Sequence, residues 1–304
     1  MNVPALQSLP EQETVPTSAR RSGIPRLVWF AGLFLFSYAV VLARLGEQWL
    51  TNDDMSHGIF VPFLVGYIVW RRRDALLNVI AKPNLWGLSL LLVGAVMLCI
   101  GPPSLPTFAF VTRSALICSL FGILLYLRGS ETVRLLAYPL LLCFFMIPLP
   151  SFVYDRVTLP LQFVASGLAE QALEGLGYSV LREGNILHLP RQTLSVVEAC
   201  SGLRSLLSLS FLGQAYAYLF DQRPWMRAAL AVAIVPIAVL ANAGRIVFTA
   251  VIGDYNQKWA HGIFHDSAGW VVFVIAFGCL LLVHRLINKV SRPRRPEDNH
   301  APIS

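Results

Sequence analysis

The stretch that decides the fold is residues 228–252, AALAVAIVPIAVLANAGRIVFTAVI. This apolar run exceeds the roughly 20 residues that a helix needs to cross a bilayer. Asn242 and Arg245 lie near its C-terminal end, and Pro236 lies inside it. Because an arginine at membrane depth is costly, it usually has a function. The run therefore predicts a membrane-spanning helix that carries a polar site near one end.

The rest of the chain has the composition of a protein that crosses a membrane several times. Of 304 residues, 56% are hydrophobic and 13% are charged, against roughly 25% charged in soluble domains. The net charge of +7 does not indicate nucleic acid, because the basic residues lie between and after the apolar runs. The pattern predicts an all-α polytopic membrane protein with about eight spanning helices: 27–44, 57–70, 85–101, 108–127, 134–150, 201–220, 228–252 and 264–284.

The distribution of charge predicts three regions and an orientation. Residues 1–26 form a polar, disordered cytoplasmic lead, residues 27–288 the transmembrane domain, and residues 289–304 a basic disordered tail. Clusters of arginine at 71–73 and 292–295 favour the cytoplasmic side, since basic loops stay inside. Both termini are therefore predicted to be cytoplasmic.

A long segment, 151–199, is predicted to lie at the outer face before the sixth span. Residues 156–176 have apolar side chains at helical spacing, with Glu170 and Glu174 opposite, which is typical of an amphipathic helix on a membrane surface. Residues 178–197 contain short β-like runs, separated at Gly184 and at Pro190, which predict a small hairpin or meander. If 157–176 spanned the membrane instead, every later element would be inverted. The two glutamates argue against that alternative.

This topology brings three chemically complementary side chains to one membrane face. Cys200 begins the sixth span, Arg245 lies about two turns inside the outer end of the seventh, and His265 opens the eighth. A helix N-terminus and a nearby cation favour the reactive thiolate. Histidine can move the proton, and arginine can hold an oxyanion. Together they predict a cysteine enzyme that acts through a thioester.

Other polar residues are predicted to support this site. Arg204 lies one turn deeper than Cys200, Asn242 faces the same way as Arg245, and His57 lies at the outer end of the second span. His261 and His265 have the spacing of a zinc-binding helix, but Gly262 replaces the glutamate of that motif. We therefore predict neither a metal nor a cofactor.

Three blocks of this sequence resemble the exosortase/archaeosortase family. They are Glu198-Ala199-Cys200-Ser201-Gly202-Leu203-Arg204-Ser205, Asn242-Ala243-Gly244-Arg245 and His265-Asp266-Ser267-Ala268-Gly269. Residues 56–62, followed by Trp70-Arg71-Arg72, are similar to that family's second span, and the resemblance covers roughly residues 27–288. It implies a multi-span cysteine transpeptidase that processes exported proteins. Their C-terminal sorting signal has a short motif such as Pro-Glu-Pro, a transmembrane helix and a basic tail.

The resemblance also implies roles for particular residues. Cys200 would be the nucleophile, His265 the general acid/base and Arg245 the stabiliser of the oxyanion, with Glu198 and Asp266 as supporting neighbours. It implies a bacterial inner membrane, with the site at the periplasmic face and surrounded by lipid. The acceptor is left open between water, an amine and an exopolysaccharide-linked group.

Two other functions are compatible with the residues alone. A transporter or assembly factor for polysaccharide would use the polar residues to line a pathway. A metal-dependent membrane protease would use His261, His265 and Cys200 as ligands. Chelation, or replacement of His261, would test the second of these.

Overall fold

The computed structural model describes residues 23–100, 106–196, 202–255 and 263–291, and these are mostly helical. The chain divides into two compact units, residues 1–43 and 44–304. The first helix, α1 (Gly23–Thr51), begins in the first unit and ends in the second. The residues of the candidate site all belong to the second unit.

Ten α-helices, two short 3₁₀ helices and three strands make up the described chain. After α1 come the 3₁₀ helix Asp53–Ile59, α2 (Phe60–Arg71), α3 (Arg73–Asn78), α4 (Trp86–Cys99), α5 (Pro106–Arg128), α6 (Ser130–Leu142), the 3₁₀ helix Cys143–Met146, α7 (Ser151–Gly175), β1 (Leu181–Glu183), β2 (Ile186–His188), β3 (Thr193–Ser195), α8 (Gly202–Phe220), α9 (Pro224–Tyr255) and α10 (Ile263–Ser291).

Helix occupies each of the eight predicted ranges, but the helices differ in length. Within the described residues, four are long and apolar enough to cross a membrane: Val28–Thr51, Phe108–Arg128, Pro224–Tyr255 and Gly269–Ser291. A fifth would be formed if α6 and α7 together made one bent span. Because α2 and α4 are shorter than the roughly 20 residues of a full span, the count of eight stays a prediction.

The chain bends by 87° between the α6 segment and α7. Pro148 and Pro150 lie at this bend, and proline both lacks the N–H that a helix needs and restricts the residue before it. The helix predicted over 156–176 is confirmed as part of α7. Its predicted apolar stripe is largely exposed, at Leu159, Phe163 and Val164, as a helix lying against lipid would require.

A small antiparallel sheet follows α7, with the strands in the order β1-β2-β3. Arg182 pairs with Leu187, and Leu187 pairs with Leu194. Gly184 has φ of +64° in the β1–β2 turn, a conformation that glycine adopts without strain. The predicted meander is therefore present, and its position at the outer membrane face remains a prediction.

The sheet is fixed to the helices through one buried apolar cluster. Leu187, Leu194 and Val196 from the sheet region join Leu173 of α7 and Ile246 of α9 in this cluster. Burial of each such side chain contributes about 1.5–3 kcal/mol relative to exposure. The chain that leads towards Cys200 is thus held against α9 up to Val196.

Helices α8, α9 and α10 pack around a second apolar cluster. Leu209 of α8, Leu230 and Ile234 of α9, and Leu280 of α10 are almost fully buried there. This cluster fixes α9 relative to its two neighbours along its first half. Polar side chains lie at both ends of the three-helix group, and these ends differ in character.

Candidate active site

Arg245 is buried in the second half of α9, with 7% of its surface exposed. Asn242, one turn earlier on the same helix, is also buried. Both line a small cavity of about 10 Å³ between α8, α9 and α10, to which Ser205 of α8 also contributes. The other lining residues are apolar: Leu209, Ala238, Ala241, Val272, Phe273 and Ala276. A guanidinium in such surroundings is costly to bury.

The guanidinium of Arg245 faces the first turns of α10. A Cβ added to Gly269 would lie 4.0 Å from Nη1 of Arg245. His265 is four residues before Gly269, so its Cα lies one helical turn nearer the start of α10, on the same face as Gly269. The helix that carries the predicted base is therefore the helix that the guanidinium of Arg245 faces.

Arg204, near the start of α8, forms ion pairs with the 3₁₀ helix that precedes α2. Its Nη2 lies 2.8 Å from Oδ2 of Asp53, and its Nε lies 3.9 Å from Oδ1 of Asp54. Tyr154 of α7 donates a hydrogen bond to Oδ2 of Asp54 at 3.1 Å. These contacts tie three elements together around the first turn of α8. The sequence predicted Arg204 as a supporting residue of the site but did not identify these partners.

His57 belongs to the same 3₁₀ helix as Asp53 and Asp54, and it is buried. Its Nε2 lies 3.0 Å from the carbonyl oxygen of Phe145. Because a carbonyl only accepts, Nε2 of His57 is the donor in this contact. Nδ1 is buried and has no hydrogen-bond partner among the described residues. His57 is thus held by the carbonyl of Phe145, on the element that pairs with Arg204.

The described chain is anchored on both sides of Cys200, in the sheet region before it and in α8 after it. Val196 is fully buried, and its N–H donates to the carbonyl of Asn185 at 2.8 Å. Gln192 donates from Nε2 to the carbonyl of Ala250 on α9 at 2.7 Å. On the other side, α8 begins at Gly202. The described chain therefore stops beside α9 at Val196 and resumes at Gly202, where α8 begins.

The predicted site residues fall into three groups in the structure. Cys200 and Glu198, and also His261, lie outside the described residues. His265 and Asp266 belong to the first turn of α10, where the backbone alone is described. Arg245, Asn242, Arg204 and His57 are described with their side chains. In the part of the chain that the structure describes, no group of three or more His, Cys, Asp or Glu is arranged to hold a metal ion.

A second polar network, which sequence reasoning missed, lies at the other end of α8–α10. Asp221, between α8 and α9, accepts from Arg223 at 2.6 Å and contacts Nε2 of His284 at 3.1 Å. Nδ1 of His284 lies 2.9 Å from the hydroxyl of Tyr216, and Arg223 also reaches Asn288. Hydrogen bonds from Arg223 hold the pKa of Asp221 well below its ordinary value. The available sequence signal was a histidine and an asparagine one turn apart near the end of an apolar span.

The apolar helices and the polar residues buried between them define an integral membrane protein. A family model described as transmembrane exosortase matches residues 49–282, which is most of the chain. The chain therefore belongs to the transmembrane exosortase family, and the resemblance seen in the sequence is confirmed. No curated protein and no solved structure matches it.

Proposed function

We propose that this protein is a membrane cysteine peptidase or transpeptidase that cleaves C-terminal sorting signals of exported proteins. Cys200 is the nucleophile, His265 the general acid/base, and Arg245 the group that stabilises the oxyanion. Membership of the transmembrane exosortase family supports this class of activity. The observation that carries the assignment is the buried guanidinium of Arg245, which faces the first turns of α10.

The chemistry follows from the three side chains. His265 takes the proton of the Cys200 thiol, and the thiolate attacks the carbonyl carbon of the scissile peptide bond. A C–S bond forms, and Arg245 donates hydrogen bonds to the oxyanion of the tetrahedral intermediate. The C–N bond then breaks, and the leaving amine takes the proton from His265. The products are a thioester on Cys200 and the released C-terminal segment.

A second attack releases the processed protein. Water or an amine gives a proton to His265 and attacks the thioester carbonyl. The sulfur leaves and recovers the proton as Cys200 returns to its resting state. Water gives hydrolysis, whereas an amine, including one linked to an exopolysaccharide, gives transpeptidation.

The support around Cys200 fits this role. The sequence places Cys200 four residues after Val196, which is buried beside α9, and two before Gly202, where α8 begins. Positions near a helix N-terminus favour a thiolate. Arg204, one turn later, is tied to Asp53 and Asp54, so the first turn of α8 is braced against its neighbours. Asn242, His57, Glu198 and Asp266 would orient the reacting groups.

The proposed location is the bacterial inner membrane, with both termini in the cytoplasm and the site at the periplasmic face. A substrate helix in the bilayer would then present its outer end at the depth of Cys200. Its basic tail would remain in the cytoplasm. The exposed apolar side of α7 supports a helix that lies along the membrane surface near the site.

The test is processing of an exported reporter that ends in such a signal, co-expressed with the full chain. We expect the wild type to release the C-terminal segment, seen as a mobility shift, and Cys200→Ala to leave the reporter intact. Cys279→Ala is the matched control, because Cys279 is an exposed free cysteine of α10. Normal processing by Cys200→Ala would overturn the proposal. Activity that disappears with a chelator would favour a metal enzyme instead.

A further inference from the structure

A cavity of about 460 Å³ opens at the end of α9 that is remote from Arg245. Arg72 at the end of α2, Arg134 of α6 and Arg227 of α9 line it. Tyr138 and Tyr218 also line it, together with Gln222. Its volume falls within the range of small-molecule sites, about 300–1,000 Å³. Three guanidinium groups therefore converge on one cavity from three helices.

Few carboxylates among the described residues balance the positive charge of this cavity. None of its described lining residues is acidic. Arg134 pairs with Glu131 at 3.1 Å on an exposed part of α6, but the described residues give Arg72 and Arg227 no carboxylate partner within 4.0 Å. Converging cations repel one another unless an anion lies between them. The cavity is thus suited to an anionic ligand.

Aromatic rings hold two of the arginines in place. The rings of Tyr138 and Tyr218 stack at 4.6 Å, and the guanidinium of Arg227 lies 4.7 Å from the Tyr218 centroid. The guanidinium of Arg72 lies 5.0 Å from the centroid of Tyr218. Arg227 also donates to the carbonyl of Asp221 at 2.9 Å. The donors are therefore oriented before any ligand arrives, which lowers the entropic cost of binding.

Exposed aromatic residues mark the depth of the cavity in the membrane. Trp70 of α2, Phe220 of α8 and Trp225 of α9 are exposed at the same helix ends that carry the cavity. Tryptophan and other aromatic residues are enriched where the bilayer meets water. This places the cavity at the level of phospholipid headgroups. Basic pockets between helices at that level bind anionic headgroups.

We propose that this cavity binds a phosphate group, supplied by the headgroup of an anionic phospholipid. Arginine is suited to this ligand because its planar fork matches phosphate oxygens. The site is distinct from the proposed catalytic site, since Arg227 and Arg245 lie on one helix roughly 27 Å apart at 1.5 Å per residue. Lipid binding here would stabilise the α2–α6–α8–α9 end of the protein without touching the chemistry.

The experiment is native mass spectrometry of the full chain in detergent, titrated with phosphatidylglycerol. We expect a bound lipid whose affinity falls about tenfold or more in Arg72→Gln/Arg134→Gln, as expected for lost charge-assisted hydrogen bonds. Arg73→Gln is the matched control. Arg73 belongs to the same basic run, stacks on Trp70 at 4.6 Å and does not line the cavity. Equal loss in both variants, or no loss in either, would overturn the proposal.

Further measurements distinguish a lipid headgroup from free phosphate and control for misfolding of the variants. Displacement of the lipid by millimolar inorganic phosphate would assign the site to free phosphate rather than to a headgroup. Glu131→Gln should bind lipid more tightly, because it releases Arg134 from its ion pair. Unchanged or weaker binding by that folded variant would contradict the role of Arg134. Cys200→Ala should bind lipid like the wild type, because lipid binding does not depend on the proposed catalysis.

Discussion

The two ends of α9 carry buried polar groups of opposite character. At the Asp221 end, Asp221 accepts from Arg223 and contacts His284, and His284 in turn contacts the hydroxyl of Tyr216. At the Arg245 end, Arg245, Asn242 and Ser205 line a small cavity. Polar groups that bond to one another stabilise the packing of helices, whereas groups that converge on a cavity are available for a ligand. Burial of charge alone therefore does not identify a catalytic site.

The processing rate should fall most when Arg245 is replaced. Arg245→Lys should lower processing by about 10²–10³-fold, the typical cost of losing an oxyanion donor, because lysine lacks the planar fork. The melting temperature should change little, since the charge is retained. Single-turnover processing in detergent measures the rate. Arg285→Lys, an exposed position on α10, is the control. A normal rate for Arg245→Lys would remove Arg245 from the chemistry.

The next effect should appear in stability at the Asp221 end. Asp221→Ala leaves Arg223 and His284 without their shared acceptor, and a buried donor without a partner is costly. We expect the melting temperature to fall by at least about 3 °C, while turnover per folded molecule stays normal. Asp74→Ala is the control, because Asp74 is exposed. Loss of turnover in folded Asp221→Ala would mean that the Asp221 end also contributes to catalysis and not to stability alone.

The same carboxylate predicts a pH dependence of stability. Hydrogen bonds from Arg223 lower the pKa of Asp221 in the folded state. Its contribution is therefore present above the unfolded pKa, near 3.9, and is lost as the pH falls through the lower folded pKa. The advantage of the wild type over Asp221→Asn in melting temperature should shrink below about pH 4. An advantage that does not vary with pH would rule out the ionised carboxylate as its source.

The smallest effect should come from the ion pair of Arg204. Asp53 is largely exposed, and exposed pairs contribute about 0.2–1 kcal/mol. A double-mutant cycle of Arg204→Gln and Asp53→Asn should therefore give a coupling energy below about 1 kcal/mol. Processing should fall only a few-fold, because the pair positions α8 and does not touch the substrate. A loss as large as that of Arg245→Lys would mean that Arg204 itself acts on the substrate.

Local sequence features predicted most of the helices and the sheet. The long apolar runs at 108–127 and 228–252 correspond to α5 and α9. The glycine and proline signals at Gly184 and Pro190 separated the strands. These features depend on neighbouring residues, so periodicity and turn chemistry suffice. The start of the second predicted helix was less well placed: the prediction was 57–70, whereas α2 begins at Phe60. An apolar run does not set where a helix begins.

The polar pairings could not be predicted, because they join residues far apart in the chain. Arg204 meets Asp53, and Asp221 meets His284, only after the helices have packed. The proposed site stays a prediction: Arg245 faces α10, which carries His265, but Cys200 lies outside the described residues. The cavity of three arginines had no local signature, as Arg72 caps α2 while Arg134 and Arg227 belong to α6 and α9.

The proposed mechanism requires that Cys200 forms a thioester with the substrate. The direct measurement is mass spectrometry of the full enzyme, quenched with acid shortly after mixing with a synthetic sorting-signal peptide. We predict that the fragment N-terminal to the scissile bond is attached to the peptide that contains Cys200, and that hydroxylamine releases it. A thioester on another cysteine such as Cys279, or undiminished cleavage by Cys200→Ala, would contradict the account.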